Sequence, residues 1–271
     1  MTEPIWIWSA VSAVERLSRG DVSPTEVLQS LQARVASVNP HVNALPTLCF
    51  DRAMDSARRL ERRPAEERGR FAGLPWTIKD SSAVAGVRTT YGSLAFADHV
   101  PAASDHVVEA IEAAGGIVFA KSNTPEFEAG ANTFNAVFGA TLNPWDTTRS
   151  AGGSSGGAAV AVATGMGFLS QGGDFACSLR YPAAFCNVVG LRVSPGVVPQ
   201  GPSRLPYQVL SVMGPLGRSV ADVGRALDGM ARFDVRDPLS RPRGGAATSY
   251  LDAALACERP PRAAFIMTLG L

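Results

Sequence analysis

The stretch Gly152-Gly153-Ser154-Ser155-Gly156-Gly157, running into Ala158-Ala159-Val160-Ala161-Val162-Ala163, is where the fold is decided. Glycine lets the backbone take positive φ and approach other groups closely, and the small-residue run that follows can form a helix that packs tightly. Two hydroxyls therefore sit on a tightly folded loop just ahead of a buried helix. A phosphate loop would end in Gly-Lys-Ser/Thr, and a dinucleotide fingerprint would read G-x-G-x-x-G; neither pattern is present. A flexible Gly/Ser linker is the plain alternative, and the apolar flank argues against it.

Outward from this loop, short apolar runs bounded by turn residues alternate with amphipathic segments. Leu74 to Ile78 and Ile117 to Ala120 read as strands, and between them Ser104 is placed to cap a helix carrying Val107, Val108 and Ile111. That β-α-β alternation predicts an α/β sheet with helices packed on it and functional groups on the loops at strand ends. Ser9 to Arg19 predicts a helix with Val11, Val14 and Leu17 on one face and Gly20 as its stop. Ser23-Pro24-Thr25-Glu26 carries a capping box that opens a second helix, striped by Val27, Leu28, Leu31 and Val35, which Asn39-Pro40 is expected to end. A third helix is expected over about Asp51 to Arg63, and a fourth over Ser219 to Ala231 with a Ser219-x-x-Asp222 cap. The Pro- and Gly-rich text from Asp237 to Ala247 reads as a loop. No internal repeat and no clear domain boundary is visible, so 1–271 reads as one domain with its catalytic core at about 70–195.

Two further segments complete a set. Downstream of the glycine loop lies Gly172-Gly173-Asp174-Phe175-Ala176-Cys177-Ser178-Leu179-Arg180-Tyr181-Pro182-Ala183-Ala184-Phe185-Cys186, and upstream lies Gly73-Leu74-Pro75-Trp76-Thr77-Ile78-Lys79-Asp80. These three segments, in this order, resemble the amidase signature family. Lys121-Ser122-Asn123-Thr124-Pro125-Glu126-Phe127, Asn143-Pro144-Trp145-Asp146 and Val189-Gly190-Leu191-Arg192 are also similar to the family's running text, so the likeness extends from the second helix to Asp237-Pro238-Leu239-Ser240. Ser154 and Ser178 keep the family's separation of 24 positions. The resemblance implies a mixed β-sheet core flanked by helices. It also implies hydrolysis of a carboxylic amide C–N bond, with Lys79 as base, Ser154 as bridging serine after a cis peptide bond, and Ser178 as nucleophile. The glutamine-hydrolysing component of a tRNA-dependent amidotransferase resembles the same core, and a non-catalytic remnant of an amidase is a third reading.

The chemistry can be rebuilt from the residues. Attack on an amide carbonyl needs a serine oxygen relieved of its proton, and the imidazole bases His41, His99 and His106 lie in no motif resembling a catalytic elbow. A lysine can serve instead if burial and neighbouring donors bring its pKa from ~10.4 toward 7, a change of ~4 kcal/mol. Neutral Lys79 would take a proton from Ser154 as Ser154 takes one from Ser178. The backbone N–H groups of Phe175, Ala176, Cys177 and Ser178 are by position the candidates to stabilise the oxyanion, each such donor typically being worth ~3–4 kcal/mol. Of the 25 basic residues only Lys79 and Lys121 are lysine, and arginine cannot lose its proton at accessible cost. Asp174 and Arg180 read as an ion pair shaping the loop, Asp80 as orienting its own loop, Lys121 as closing a strand against a carbonyl or an acid, and Cys177 and Cys186 as small buried residues.

Composition removes other classes. With 46% hydrophobic and 18% charged residues among 271, the chain can bury a substantial core. A net charge of +1 with no basic cluster predicts no nucleic-acid partner, and Arg58, Arg59, Arg62 and Arg63, interleaved with Glu61, Glu66 and Glu67, read as a solvated helix face. The apolar run Ala158 to Leu169 is too short for the ~20 residues of a membrane span. Ile5-Trp6-Ile7-Trp8 has no basic region before it and no cleavage site after it, and the cysteines at 49, 177, 186 and 257 match no disulfide or zinc pattern. The expectation is a cytoplasmic protein that uses no metal or cofactor and acts on a small-molecule amide.

The sequence departs from the family in two respects. The family usually reads Gly-Ser/Thr-Asp-x-Gly-Gly-Ser around the nucleophile, whereas here Gly173 stands for the hydroxyl residue and Ala176-Cys177 for the paired glycines. A β-carbon where a glycine takes positive φ costs ~1 kcal/mol or more and can tilt an oxyanion donor. Family members are also longer. Arg262 to Leu271 resembles the start of another strand, so a C-terminally incomplete amidase is expected, with a homo-oligomer or a complementing subunit covering the open side.

Overall fold

The computed structural model of the protein describes residues 3–242 and 249–256, with Arg259, Arg262 and Ala264 beyond them. Local hydrogen bonds start the N-terminal helices. In α1 (Ala10–Arg19) the Ser9 hydroxyl accepts from Ser12 N–H, and Gly20 ends the helix at φ 76°. In α2 (Pro24–Val42) Ser23 and Glu26 form the reciprocal capping box. The apolar stripes Ala10, Ala13, Val14, Leu17 and Val27, Leu28, Leu31, Val35 are buried, each full Leu or Val burial being worth ~1.5–3 kcal/mol. Contrary to expectation α2 does not stop at Asn39-Pro40. It continues through Pro40 to Val42 and ends on Asn43 in the left-handed region. Proline removes one intrahelical donor, and Asn39 organises the exit instead: its side chain accepts from Ala44 N–H and Leu45 N–H and donates to the Leu45 carbonyl.

The helix α3 (Phe50–Glu61) leaves Arg58 and Arg59 exposed and packs Phe50, Ala53 and Ala57 inward. A six-stranded sheet follows, built from β1 (Thr47–Leu48), β2 (Pro75–Lys79), β3 (Ile117–Ser122), β6 (Leu169–Asp174), β7 (Val189–Gly190) and β8 (Val212–Gly217). Their order is β1-β3-β2-β6-β8-β7, while β4 (Phe134–Asn135) and β5 (Gly139–Ala140) form a separate two-stranded pair. The three central strands β3, β2 and β6 are parallel, and β1, β8 and β7 pair antiparallel. The sheet is therefore mixed, with helices packed against it. Between β2 and β3 runs α4 (His106–Ala113), the crossover a parallel pair requires. Ser104 does not cap it. Its hydroxyl accepts from Ala85 N–H, and Asp105, in the cap position, accepts from Ala83 N–H, so both side chains brace the preceding loop.

Every residue of β2, β3 and β6 is buried, as expected for parallel strands covered on both faces. The helix α5 (Gly156–Ala163) lies against them with all but its last residue buried. A β-carbon at Gly157 would fall 2.3 Å from the Asn123 nitrogen, so glycine there is a steric requirement that brings the helix N-terminus onto the end of β3. After it come α6 (Arg180–Cys186), α7 (Val220–Met230), capped by the Ser219 hydroxyl on Asp222 N–H, and α8 (Tyr250–Ala256). Apart from Arg262 and Ala264, the segment Arg262 to Leu271, expected to open a strand, lies outside the described residues, as does part of the predicted loop to Ala247.

Candidate active site

Because β2, β3 and β6 are parallel, their carboxyl ends share one edge of the sheet, and Lys79, Ser122 and Asp174 are the last residues of the three. That edge, with β2 continuing to β3 on one side and pairing β6 on the other, is where open α/β sheets hold their ligands.

Lys79 is fully buried. Its Nζ donates to Ser154 Oγ at 2.6 Å and also contacts Glu128 Oε1. Its backbone N–H donates to Gln171 Oε1 at 3.2 Å, which ties the strand end to β6. Burial holds the Lys79 amine below the ordinary lysine range, while the Glu128 carboxylate and, more weakly, the charge of Asp174 push it back up. The Glu128 carboxyl is driven up by burial, but the Lys79 ammonium and the hydrogen bond it donates outweigh this and leave it below its usual range.

Ser154 follows a cis Gly153–Ser154 bond and is 1% exposed. Thr133 clasps the loop from both sides: its hydroxyl donates to the Gly152 carbonyl at 2.9 Å and accepts from Gly156 N–H at 3.0 Å. The next residue reaches the second serine segment directly, Ser155 N–H donating to the Ser178 carbonyl at 3.2 Å.

The segment from Asp174 to Arg180 is folded around one carboxylate. Asp174 accepts from Cys177 N–H at 2.9 Å, Leu179 N–H at 3.1 Å, Arg180 Nε and Nη2 at 3.0 Å each, and Arg192 Nη1 at 3.0 Å. Burial alone would raise this carboxyl, but the Arg180 guanidinium and the two N–H groups hold it well below the usual carboxylate range. The expected Asp174–Arg180 pair is thus present, joined by Arg192, which also donates to the Asp174 carbonyl.

Two expectations about Cys177 need correction. Its N–H is engaged by Asp174, so it cannot also point at an oxyanion, which leaves Phe175, Ala176 and Ser178 of the expected candidates. Nor is it a buried residue. It is half-buried, at φ 83°, in the wall of the cavity described below, whereas Cys186 is fully buried. The left-handed position expected of one family glycine is that of Cys177, since Ala176 has no positive φ.

Ser178 is half-buried and lines a cavity of about 610 Å³ together with Gly153, Phe175, Ala176, Tyr181 and the loop from Glu128 to Ala131. Ser178, Phe175 and Ala176 thus line one opening, which reaches the buried Lys79–Ser154 pair through Glu128, the partner of Lys79, and Gly153, the neighbour of Ser154. Lys121 and Asp80 lie apart: Lys121 Nζ donates to the Ser82 carbonyl and to Thr89 Oγ1 at 2.9 Å, with Asp80 Oδ1 at 3.7 Å. Asp80 Oδ2 accepts from Thr90 N–H at 3.1 Å and Thr90 Oγ1 at 2.5 Å, which holds its loop. Glu128 escaped the sequence reading. It lies one residue beyond the motif that ends at Phe127, and the only signal was a charged side chain entering a run of small residues. Among the described residues no group of three or more His, Cys, Asp or Glu is arranged to hold a metal, and no helix is long and apolar enough to cross a membrane.

The family described as amidase matches residues 26–270, and the chain belongs to it. An acylamidase of Rhodococcus erythropolis is 40% identical over the whole of this chain and 57% of its own length. The glutamyl-tRNA(Gln) amidotransferase A subunit of Heliobacterium modesticaldum is 38% identical over 83% of this chain and 47% of its own. Among solved structures, a bacterial aryl acylamidase of the amidase signature family superposes with a TM-score of 0.86 at 30% identity, covering 93% of this chain and 52% of that one. The chain therefore spans about half the length of the relatives it matches.

Proposed function

We propose that this chain carries the catalytic machinery of an amide hydrolase, with Lys79 as base, Ser154 as proton bridge and Ser178 as nucleophile. The observation that carries the reading is the 2.6 Å hydrogen bond between Lys79 Nζ and Ser154 Oγ, buried beneath a cavity whose wall includes Ser178. In the attack Ser178 Oγ bonds to the amide carbon, its proton passes to Ser154, and the Ser154 proton passes to Lys79. The N–H groups of Phe175, Ala176 and Ser178 are the available donors to the oxyanion. When the C–N bond breaks, the leaving nitrogen regains a proton through Ser154. Water then repeats the relay on the acyl-enzyme and releases the carboxylate. Such chemistry needs no cofactor, and a cytoplasmic setting suits it.

The likeness to the A component of the amidotransferase favours a second reading, in which the same site hydrolyses glutamine within an assembly. Purification with stable partner proteins, and glutaminase activity that depends on them, would separate the two. The test of the site itself is a panel of amides assayed on wild type, Ser178→Ala and Lys79→Ala. Both variants are expected to lose roughly 10⁴-fold or more in kcat/KM, as when a member of a serine relay is removed. Undiminished hydrolysis in both would end the proposal.

A further inference from the structure

The relay needs Lys79 as a free amine, yet a carboxylate sits on that amine. Glu128 reaches it from an unusual backbone: Phe127 and Glu128 both lie in the left-handed region, at φ 49° and 62°. The turn is anchored by Phe127 N–H donating to the Tyr91 carbonyl at 2.8 Å and Glu128 N–H to the Pro125 carbonyl at 3.0 Å. Room for the carboxylate comes from Gly173, where a β-carbon would stand 3.1 Å from Glu128 Oε1. Glu128 side-chain exposure is 32% against 0% for Lys79, and it lines the same cavity as Ser178, so it joins the buried amine to the cavity.

We propose that Glu128 is a latch on Lys79: its carboxylate claims the Nζ group that Ser154 needs, and the relay runs only after that ion pair has given up its proton to the cavity. This rests on the reading of Lys79 as base. The step balances simply, an ammonium and a carboxylate becoming an amine and a carboxylate as one proton leaves to solvent. Other charges around the pair do not replace Glu128. Asp174, at the end of β6, is taken up by Arg180 and Arg192; Asp80, after β2, faces Lys121, and Asp105, before α4, faces Lys121 and, more weakly, repels Glu128 itself without touching Lys79. The direction of the effect follows. A carboxylate beside the ammonium favours the charged form, so removing it lets Lys79 lose its proton at lower pH.

The chain is well suited to the test, because Lys79 and Lys121 are its only lysines. Protein labelled with ¹³Cε-lysine gives two resonances, assigned with Lys79→Arg and titrated in wild type, Glu128→Gln and Glu128→Gly, the glycine variant also relieving the left-handed backbone. In parallel, the rate at which a fluorophosphonate labels Ser178 is followed against pH. The expected result is a Lys79 titration moved to lower pH in both variants, with labelling near neutral pH faster by about tenfold, the change that one pH unit produces. An unmoved Lys79 titration in variants whose circular dichroism matches wild type overturns the latch, whatever the activity. So does a moved titration with an unmoved labelling profile. Labelling that survives in Ser178→Ala would instead strike at the nucleophile assignment, and the Lys79 resonance would still report on Glu128.

Discussion

Lys79 and Lys121 sit on neighbouring parallel strands, one register step apart, Ile78 pairing with Lys121 and Lys79 with Ser122. Both are fully buried, and burial pulls both amines below the ordinary lysine range, Lys121 to about 8. Their partners separate them. Lys121 faces the Ser82 carbonyl, which can only accept, and the Thr89 hydroxyl, whose own proton is given to the Val87 carbonyl, with the Asp80 carboxylate beside them, so the amine is fixed as a donor inside a closed cage. Lys79 faces a hydroxyl, which can give a proton as well as accept a hydrogen bond, and its other partner opens on a cavity. Desolvation alone does not make a base. It has to be combined with a partner able to surrender a proton and a path by which the proton can leave.

The sharpest way to break this contrast is to replace each lysine by methionine. Lys79→Met is expected to abolish amide hydrolysis, by about 10⁴-fold or more, while shifting stability by only ~1 kcal/mol, because Glu128 can turn toward water. Lys121→Met should do the reverse, costing ~3–5 kcal/mol in urea unfolding by stranding Asp80 in the interior, with Lys79, Ser154 and Ser178 in place in whatever remains folded. Equal losses of stability in the two variants would erase the distinction. Asp80→Asn is a milder probe of the cage. It keeps the shape but removes the charge facing Lys121, and a loss of ~1–3 kcal/mol is expected. The smallest effect belongs to the other wall of the cavity: Cys177→Gly, which relieves φ 83°, should raise the urea midpoint by the equivalent of ~1 kcal/mol. No gain there would mean that the loop around Asp174 tolerates the β-carbon at no cost.

Elements set by local chemistry were legible in the sequence. Ser23 with Glu26 and Ser219 make the caps their spacing predicts, Gly20 stops α1, and β2 and β3 carry apolar runs. The strands β6 and β8 were not legible as strands. Leu169-Ser170-Gln171-Gly172-Gly173-Asp174 is polar and glycine-rich for tertiary reasons: Ser170 and Gln171 spend their polar atoms on Thr77 and Lys79 of β2, and a β-carbon at Gly172 would meet Leu179 Cδ2 and Ser155 Oγ at 2.8 Å. Pro215 sits inside β8, against the usual rule, with its carbonyl accepting from Leu191 N–H. The exit of α2 past Pro40 depends on the Asn39 side chain, and Ser104 and Asp105 are drawn from capping by loop donors; both are tertiary choices with no local signature. Within the site the motif residues were readable because their order and spacing are distinctive. Glu128 was not, since its meaning comes from a left-handed turn that aims it at a strand nearly fifty positions earlier.

Burying every lysine has a further effect, on the outside of the molecule. The side-chain cations it shows to solvent are guanidinium groups alone, since the two ε-amines are both 0% exposed. Acylating reagents that seek amines therefore meet no lysine on the folded surface, and their uptake by side chains becomes a clock for how often the sheet edge opens.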